Sequence, residues 1–217
     1  MARNNAKASR RKTTQTLVTV SQTADVAKML SNSIEICREH GRNDTRTAYG
    51  ELINFVGTKL AANPDGCQLE PVTIQRLNAT FDIGRFASVL DDHLGHLFST
   101  LEIGNSSLGQ CLTPTNVADM MVAMTCQDVS PGQTILDPCV GSGVFLISAL
   151  KIVPPGVQLY GVEMDRTLYR TALVQLTIFT DYGKRNPFFL LNDDSLMNPL
   201  LDWNAANLWI PKQPSRN

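Results

Sequence analysis

The chain has 217 residues, 43% of them hydrophobic and 18% charged, with a net charge of −1. That length and balance describe a globular protein of one domain, or two small ones, with a buried core. No stretch approaches the run of about 18 apolar residues that a membrane span needs, and the N-terminus lacks the apolar segment of a secretory signal.

Residues 1–19 carry Arg3, Lys7, Arg10, Arg11 and Lys12 before the first acid, Asp25. This basic, polar tail is expected to be disordered, either touching phosphates through salt-sensitive contacts or simply solvated. The remainder is acidic, which argues against a broad DNA-binding face. The five cysteines, Cys37, Cys67, Cys111, Cys126 and Cys139, are scattered and form no Cys-x-x-Cys. Such usage predicts reduced thiols and a cytoplasmic location.

Residues 20–104 read as helical. Val26, Met29, Leu30, Ser33 and Cys37 recur at helical spacing. Leu52, Phe55, Val56 and Leu60 repeat the pattern until Asn63-Pro64-Asp65-Gly66 breaks it. A third stripe, from Phe86 through Leu90, Leu94 and Phe98 to Leu101, runs as one helix until Gly104-Asn105. Three helices burying one another's apolar faces predict a small bundle. Asp91, Asp92, His93 and His96 resemble a metal cluster, but three-residue spacing without a further ligand is poor zinc chemistry, and no metal is expected.

From residue 105 the pattern changes. Gly109-Gln110-Cys111-Leu112-Thr113-Pro114 precedes a helix-like stretch over 117–124, whose Met120, Met121 and Met124 read as core filler. Ile135-Leu136-Asp137-Pro138 then leads through Gly141-Ser142-Gly143 into an apolar run, a strand whose glycine turn opens a helix. That helix is expected to reach about Ile152, before Pro154-Pro155-Gly156. A second strand ends in Glu163-Met164-Asp165, and a third, over 188–192, ends in Asp193-Asp194. Asp137, Glu163 and Asp194 would therefore meet along one edge of a parallel sheet, where such folds bind ligands. Glu163 follows Asp137 at close to the separation of a ribose-binding acid. Ser142 lacks the spacing of a nucleophile elbow and reads as a small capping residue. A dinucleotide fingerprint wants a third glycine where Leu146 stands, and Asp137 would repel a pyrophosphate. An acid there suits a ligand with a positive end, such as the ammonium and sulfonium of S-adenosylmethionine.

The order Gly-Gln-x-x-Thr-Pro, Asp-Pro-x-x-Gly-Ser-Gly, Gly-Val-Glu-Met-Asp, Asp-Asp-Ser-Leu resembles the N6-adenine DNA methyltransferases. Within them it is most similar to modification subunits of type I restriction systems and to small methylase-like proteins of phages and plasmids. The resemblance implies S-adenosylmethionine as cofactor. Thr113 and Pro114 would flank its methionine end, and Asp137, Pro138, Gly141, Ser142 and Gly143 would line it. Glu163 would bind the ribose, Met164 would pack on the adenine, and Asp194 would accept from the adenine amino group. Cys139-Val140 stands where the family commonly has Ala-Cys.

The resemblance also implies a catalytic motif of Asn, Asp or Ser, then Pro-Pro, then an aromatic residue that stacks on a flipped base. In the corresponding stretch, 207–217, a short strand is followed by neither Pro-Pro nor an aromatic ring, Gln213-Pro214 being the nearest remnant. No catalytic residue is assigned, and no segment for a target-recognition domain is expected. The expected architecture is α/β: a basic tail (1–19), an N-terminal helical bundle (20–104), and an incomplete, Rossmann-like S-adenosylmethionine-dependent methyltransferase sheet (105–217). The expected partners are DNA and a second methyltransferase or restriction subunit, with neither membrane nor metal. The alternative is a non-catalytic anti-restriction or regulatory protein that mimics a modification subunit.

Overall fold

The computed structural model describes residues 2–39, 44–62, 66–104, 110–197, 203 and 208–209, with side chains from Val20 onward except at 208–209. Helix α1 spans Ala2–Glu39. Its first half is the basic stretch, and the helix runs through it. No glycine or proline interrupts 2–39, so a helix anchored by its second half can propagate through it. That second half buries the predicted stripe of Val26, Met29, Leu30, Ser33 and Cys37. Ser33 is tolerated there because its hydroxyl donates to the Met29 carbonyl at 2.8 Å.

Helices α2 (Thr45–Lys59), α3 (Pro71–Thr80), α4 (Ile83–Ala87) and α5 (His93–Thr100) follow. The third apolar stripe is thus two helices, where one was expected. Asp92 leaves helical geometry and caps α5 through the Gly95 N–H at 3.0 Å, which starts a separate helix. Phe86, Leu94 and Phe98 remain buried on either side of the break. Of the predicted breaker Asn63-Pro64-Asp65-Gly66, only Gly66 falls within the described residues.

The second half is the expected α/β unit. Strands β1 (Thr134–Asp137), β2 (Gln158–Val162) and β3 (Phe188–Leu191) are parallel and adjacent in that order. Helix α6 (Thr115–Thr125) precedes β1, α7 (Val144–Ala149) joins β1 to β2, and α8 (Arg166–Phe179) joins β2 to β3. Helix α7 is shorter than predicted, because Leu150 closes it with N–H bonds back to Leu146 and Ser148. Strand β4 (Leu208–Trp209) adds antiparallel to β3, at the far side of the sheet from β1.

Helix α8 holds the molecule together. Every residue from Thr171 to Thr177 is buried, because the helix packs on β3 and α7 on one side and on α2, α4 and α5 on the other. One hydrophobic cluster therefore runs from Val26 to Leu190 through both halves. Phe86 stacks on Phe179 with ring centroids 5.7 Å apart, and the buried Tyr49 hydroxyl meets Thr171 Oγ1 at 3.0 Å.

Register separates the two sheet faces. Ile135, Leu159 and Phe188 lie side by side on the face under α8 and are buried. Leu136, Tyr160 and Phe189 share the other face, where Leu136 is 50% exposed. Among the described residues that face is roofed by Trp203, edge-on to Tyr160 at 4.8 Å.

The methionines of α6 correct the expectation of core filler. Met120, Met121 and Met124 are 57%, 44% and 78% exposed. The helix buries Ala118 and Val122, one turn apart, against α7, which turns the methionine side outward. His93 is buried with Nε2 2.8 Å from the Val89 carbonyl, and no metal-binding group occurs among the described residues. No described helix is long and apolar enough to cross a membrane.

Candidate functional site

The first two parallel strands end at a cavity of about 460 Å³, within the size range of small-molecule sites. The chain leaves β1 through Asp137-Pro138-Cys139, and Asp137 Oδ1 accepts from the Cys139 N–H at 3.0 Å, turning the backbone over the strand end. Val140 N–H then donates to the Val162 carbonyl at 2.9 Å, which ties the turn to the end of β2. Gly141 adopts φ +55° and Gly143 φ +100°, conformations that favour glycine.

Glu163 sits directly after β2. Its Oε2 accepts from Gly141 N–H at 2.9 Å and its Oε1 from Asp165 N–H at 2.8 Å, so one carboxylate fixes both the glycine turn and the start of α8. Asp165 continues the construction. Its Oδ1 caps α8 at the Thr167 and Leu168 N–H groups, while its Oδ2 accepts from Gln110 Nε2 at 3.1 Å and pairs with Arg46 of α2 at 3.2 Å. Gln110 thereby fastens the 110–113 segment, which forms one wall of the cavity, to the strand end opposite.

Both cavity acids are perturbed in the same direction. Burial raises the pKa of Asp137, partly opposed by the Cys139 N–H. Burial also raises that of Glu163, its two N–H bonds opposing and the negative charges of Asp165 and Asp137 adding to the rise. Among the described residues the lining holds these two carboxylates and no lysine, arginine or histidine.

Of the predicted site residues, Thr113, Asp137, Pro138, Gly141, Ser142 and Glu163 line this cavity. Four do not. Pro114 borders a neighbouring hollow of about 510 Å³ and starts α6. Gly143 faces α8: a Cβ there would lie 3.4 Å from Ala172, so its glycine serves helix packing. Met164 is 54% exposed outside the lining, and Asp194 Oδ1 is engaged by the Leu196 and Met197 N–H groups. The third strand end approaches instead through Ser195, whose Oγ lies 3.8 Å from Cys139 Sγ. Ser142 lines the cavity but sends its hydroxyl away from it, to Asp92 at 2.6 Å.

Sequence reasoning missed Asp165, Arg46 and Asp92. An acid just before a helix is a capping signal, which could have found Asp165 and with it α8. Arg46 and Asp92 arrive from distant helices and have no local signature. Beside the cavity, Thr115 Oγ1 donates to Asp91 Oδ1 at 2.9 Å and lies 3.1 Å from His96 Nε2, which anchors the start of α6.

The model of the N-6 DNA methylase family matches residues 91–210. No curated protein matches the chain. Among solved structures, a Listeria monocytogenes protein assigned to the class I S-adenosylmethionine-dependent methyltransferases has a TM-score of 0.59 at 20% identity. The match covers 84% of this chain and 56% of that one, so the chain spans little more than half its length. A Vibrio vulnificus protein, assigned as the modification subunit of a type I restriction enzyme, matches at TM-score 0.45 and 18% identity, covering 58% of this chain and 27% of that one. A type I restriction-modification methyltransferase subunit from Streptococcus thermophilus matches at 0.44 and 15%, covering 83% and 60%. These last two likenesses are too loose to build on.

Proposed function

The chain belongs to the N-6 DNA methylase family, and from that premise we propose that its cavity holds S-adenosylmethionine and that it forms the cofactor-binding part of an adenine-N6 DNA methyltransferase. The observation that carries this reading is the charge of the cavity: among the described residues two carboxylates line it, with no basic side chain. A nucleotide polyphosphate would be repelled there, whereas a ligand bearing a sulfonium and an ammonium would be attracted.

The residues suit that ligand in detail. A carboxylate has about four lone-pair directions, and the two N–H bonds to Glu163 leave two for the hydroxyls of a ribose. Asp137 would face the cationic methionine end, with Thr113 and the glycine turn beside it. The adenine end would extend beyond the cavity toward Met164 and Asp194. Bound there, S-adenosylmethionine supplies an electrophilic methyl group on a positively charged sulfur. The chain's own contribution is to hold that ligand: Glu163 and Asp137 orient it, and the Gln110-fastened wall shields it from water.

Transfer to DNA in this reading requires an acceptor motif supplied from outside these 217 residues, and a methyltransferase or restriction subunit is the partner we propose for it. No Asn, Asp or Ser followed by Pro-Pro and an aromatic residue occurs in the 217 residues. Among the described residues β1 pairs with β2 alone, so the strand edge beside Asp137 is open to added strands.

Titration calorimetry tests the cofactor. S-adenosylmethionine should bind with a Kd in the micromolar range, about −7 to −8 kcal/mol, and ATP should not. Glu163→Ala should weaken binding by more than about tenfold, since it strips two charge-assisted hydrogen bonds. Tighter binding of ATP, or unchanged affinity in the variant, would overturn the assignment. A chain that captured a restriction complex without binding the cofactor would instead be the non-catalytic mimic.

A further inference from the structure

Asp92 is buried, 3% exposed, and its hydrogen bonds reach further than a helix cap requires. Its Oδ1 accepts from the Gly95 N–H at 3.0 Å and from Gln175 Nε2 at 2.7 Å, and its Oδ2 accepts from the Ser142 hydroxyl at 2.6 Å. Gln175, fully buried in α8, uses its other amide hydrogen on the Ser142 carbonyl at 2.9 Å and accepts from Leu94 N–H at 3.0 Å. Ser142, the middle residue of the glycine turn, is therefore gripped at its carbonyl by α8 and at its hydroxyl by Asp92, from outside the α/β unit.

Two features separate this from ordinary capping. A serine or asparagine would cap α5 as well, without taking a carboxylate out of water. The chain also makes room for the carboxylate: a Cβ on Gly95 would lie 2.0 Å from Asp92 Oδ2. What the acid adds over a neutral cap is the short, charge-assisted bond to Ser142.

We infer that Asp92 is a positioning residue for the cofactor turn, holding Ser142 so that the neighbouring Gly141 N–H stays on Glu163 and the cavity keeps its shape. The inference rests on the reading of that cavity as an S-adenosylmethionine site. It gives the N-terminal helices a part in ligand binding that their distance in sequence from every cofactor motif conceals.

The test uses the full chain with Asp92→Ala, Ser142→Ala, the double variant and Asp92→Asn. Two readouts are taken: Kd for S-adenosylmethionine by calorimetry, and amide hydrogen exchange of residues 138–144 without ligand. Each alanine variant should raise Kd about tenfold, the scale of one lost charge-assisted bond. The double variant should lie within about threefold of the singles, because both remove one interaction. Asp92→Asn, which can still accept from Gly95 and Gln175 but presents its amide nitrogen where the Ser142 hydroxyl donates, should raise Kd about as much as Asp92→Ala, which separates the grip on Ser142 from capping. The turn should exchange at least about tenfold faster in both alanine variants.

Unchanged Kd in Asp92→Ala, or effects that multiply in the double variant, would overturn the inference. If Asp92→Ala does not fold, Ser142→Ala carries both readouts, and unchanged values there would overturn it equally. If the parent protein does not bind S-adenosylmethionine, the cofactor assignment fails, and the exchange of 138–144 alone decides: faster exchange upholds the positioning role and unchanged exchange removes it.

Discussion

Burial raises the pKa of Asp137, so the folded protein holds a proton there more tightly than the unfolded chain does. The sign of the consequence is fixed by linkage. The stability associated with this group is fully present below the unfolded-state carboxylate range and is lost as pH rises through the raised folded value. At neutral pH the ligand-free protein therefore carries an unfavourable buried charge, and a cationic ligand would relieve it. Asp137→Asn removes the charge while its side-chain oxygen can still accept from Cys139 N–H. The variant should melt at a higher temperature than the parent at pH 7, with the difference shrinking toward pH 4. Its affinity for S-adenosylmethionine should fall by about tenfold. Thermal melts across that pH range, paired with calorimetry, check both halves. A variant less stable than the parent at neutral pH would mean that Asp137 is held by something other than the cavity. Glu163 differs because its carboxylate also accepts two backbone N–H groups, so removing it damages the turn as well as the charge.

At the scale of elements, the two glycines of one turn serve different neighbours. Gly141 borders the cavity, where an added Cβ would meet only the mobile end of Leu112 at 3.3 Å. Gly143 begins α7 at φ +100°, and a Cβ there would press on Ala172 of α8. Gly143→Ala should therefore lower stability by about 1–2 kcal/mol or more, the cost of a strained left-handed residue. Gly141→Ala should cost less stability and more ligand affinity. Denaturant unfolding alongside calorimetry separates them, and the reverse ranking would contradict the geometry. The same turn shows what sequence can and cannot carry. Asp137, the glycines and Glu163 were legible because a strand, a tight turn and a helix leave a local signature. That Gly143 faces α8, that Met164 and Asp194 miss the cavity, and that Asp92 splits a helix were not legible. Ala172 and Ser142 are partners brought in by the fold, and Asp194 is turned to its own Leu196 and Met197 N–H groups, a local choice that strand spacing does not reveal. The α6 methionines failed for a related reason, since apolar residues lie on both sides of that helix and only packing decides which side, here Ala118 and Val122, is buried.

For the whole molecule, the shared core implies that the helices and the α/β unit unfold together. Arg46 of α2 on Asp165 and Asp92 of α5 on Ser142 mean that the helices also brace the cavity. Among the described residues the sheet is packed by helices on one face and roofed by Trp203 on the other. Parallel strands are normally covered on both faces, yet Leu136 of β1 is half exposed. β4 lies beyond β3, leaving the edge of β1 open among the described residues. The open edge adjoins Asp137, where the reacting end of the ligand would sit. Acting on a base in duplex DNA also demands a pocket that receives the extruded base, and the polar-Pro-Pro-aromatic motif that would form it is absent from these 217 residues. The purified chain should therefore bind S-adenosylmethionine yet transfer no labelled methyl to duplex DNA above background. Adding a second chain that contains the motif should restore transfer, and Glu163→Ala in this chain should abolish the restored activity. Robust methylation by the 217 residues alone would show that the acceptor site lies within them. Restored activity insensitive to Glu163→Ala would show that the second chain brings its own cofactor and that this chain's role is association.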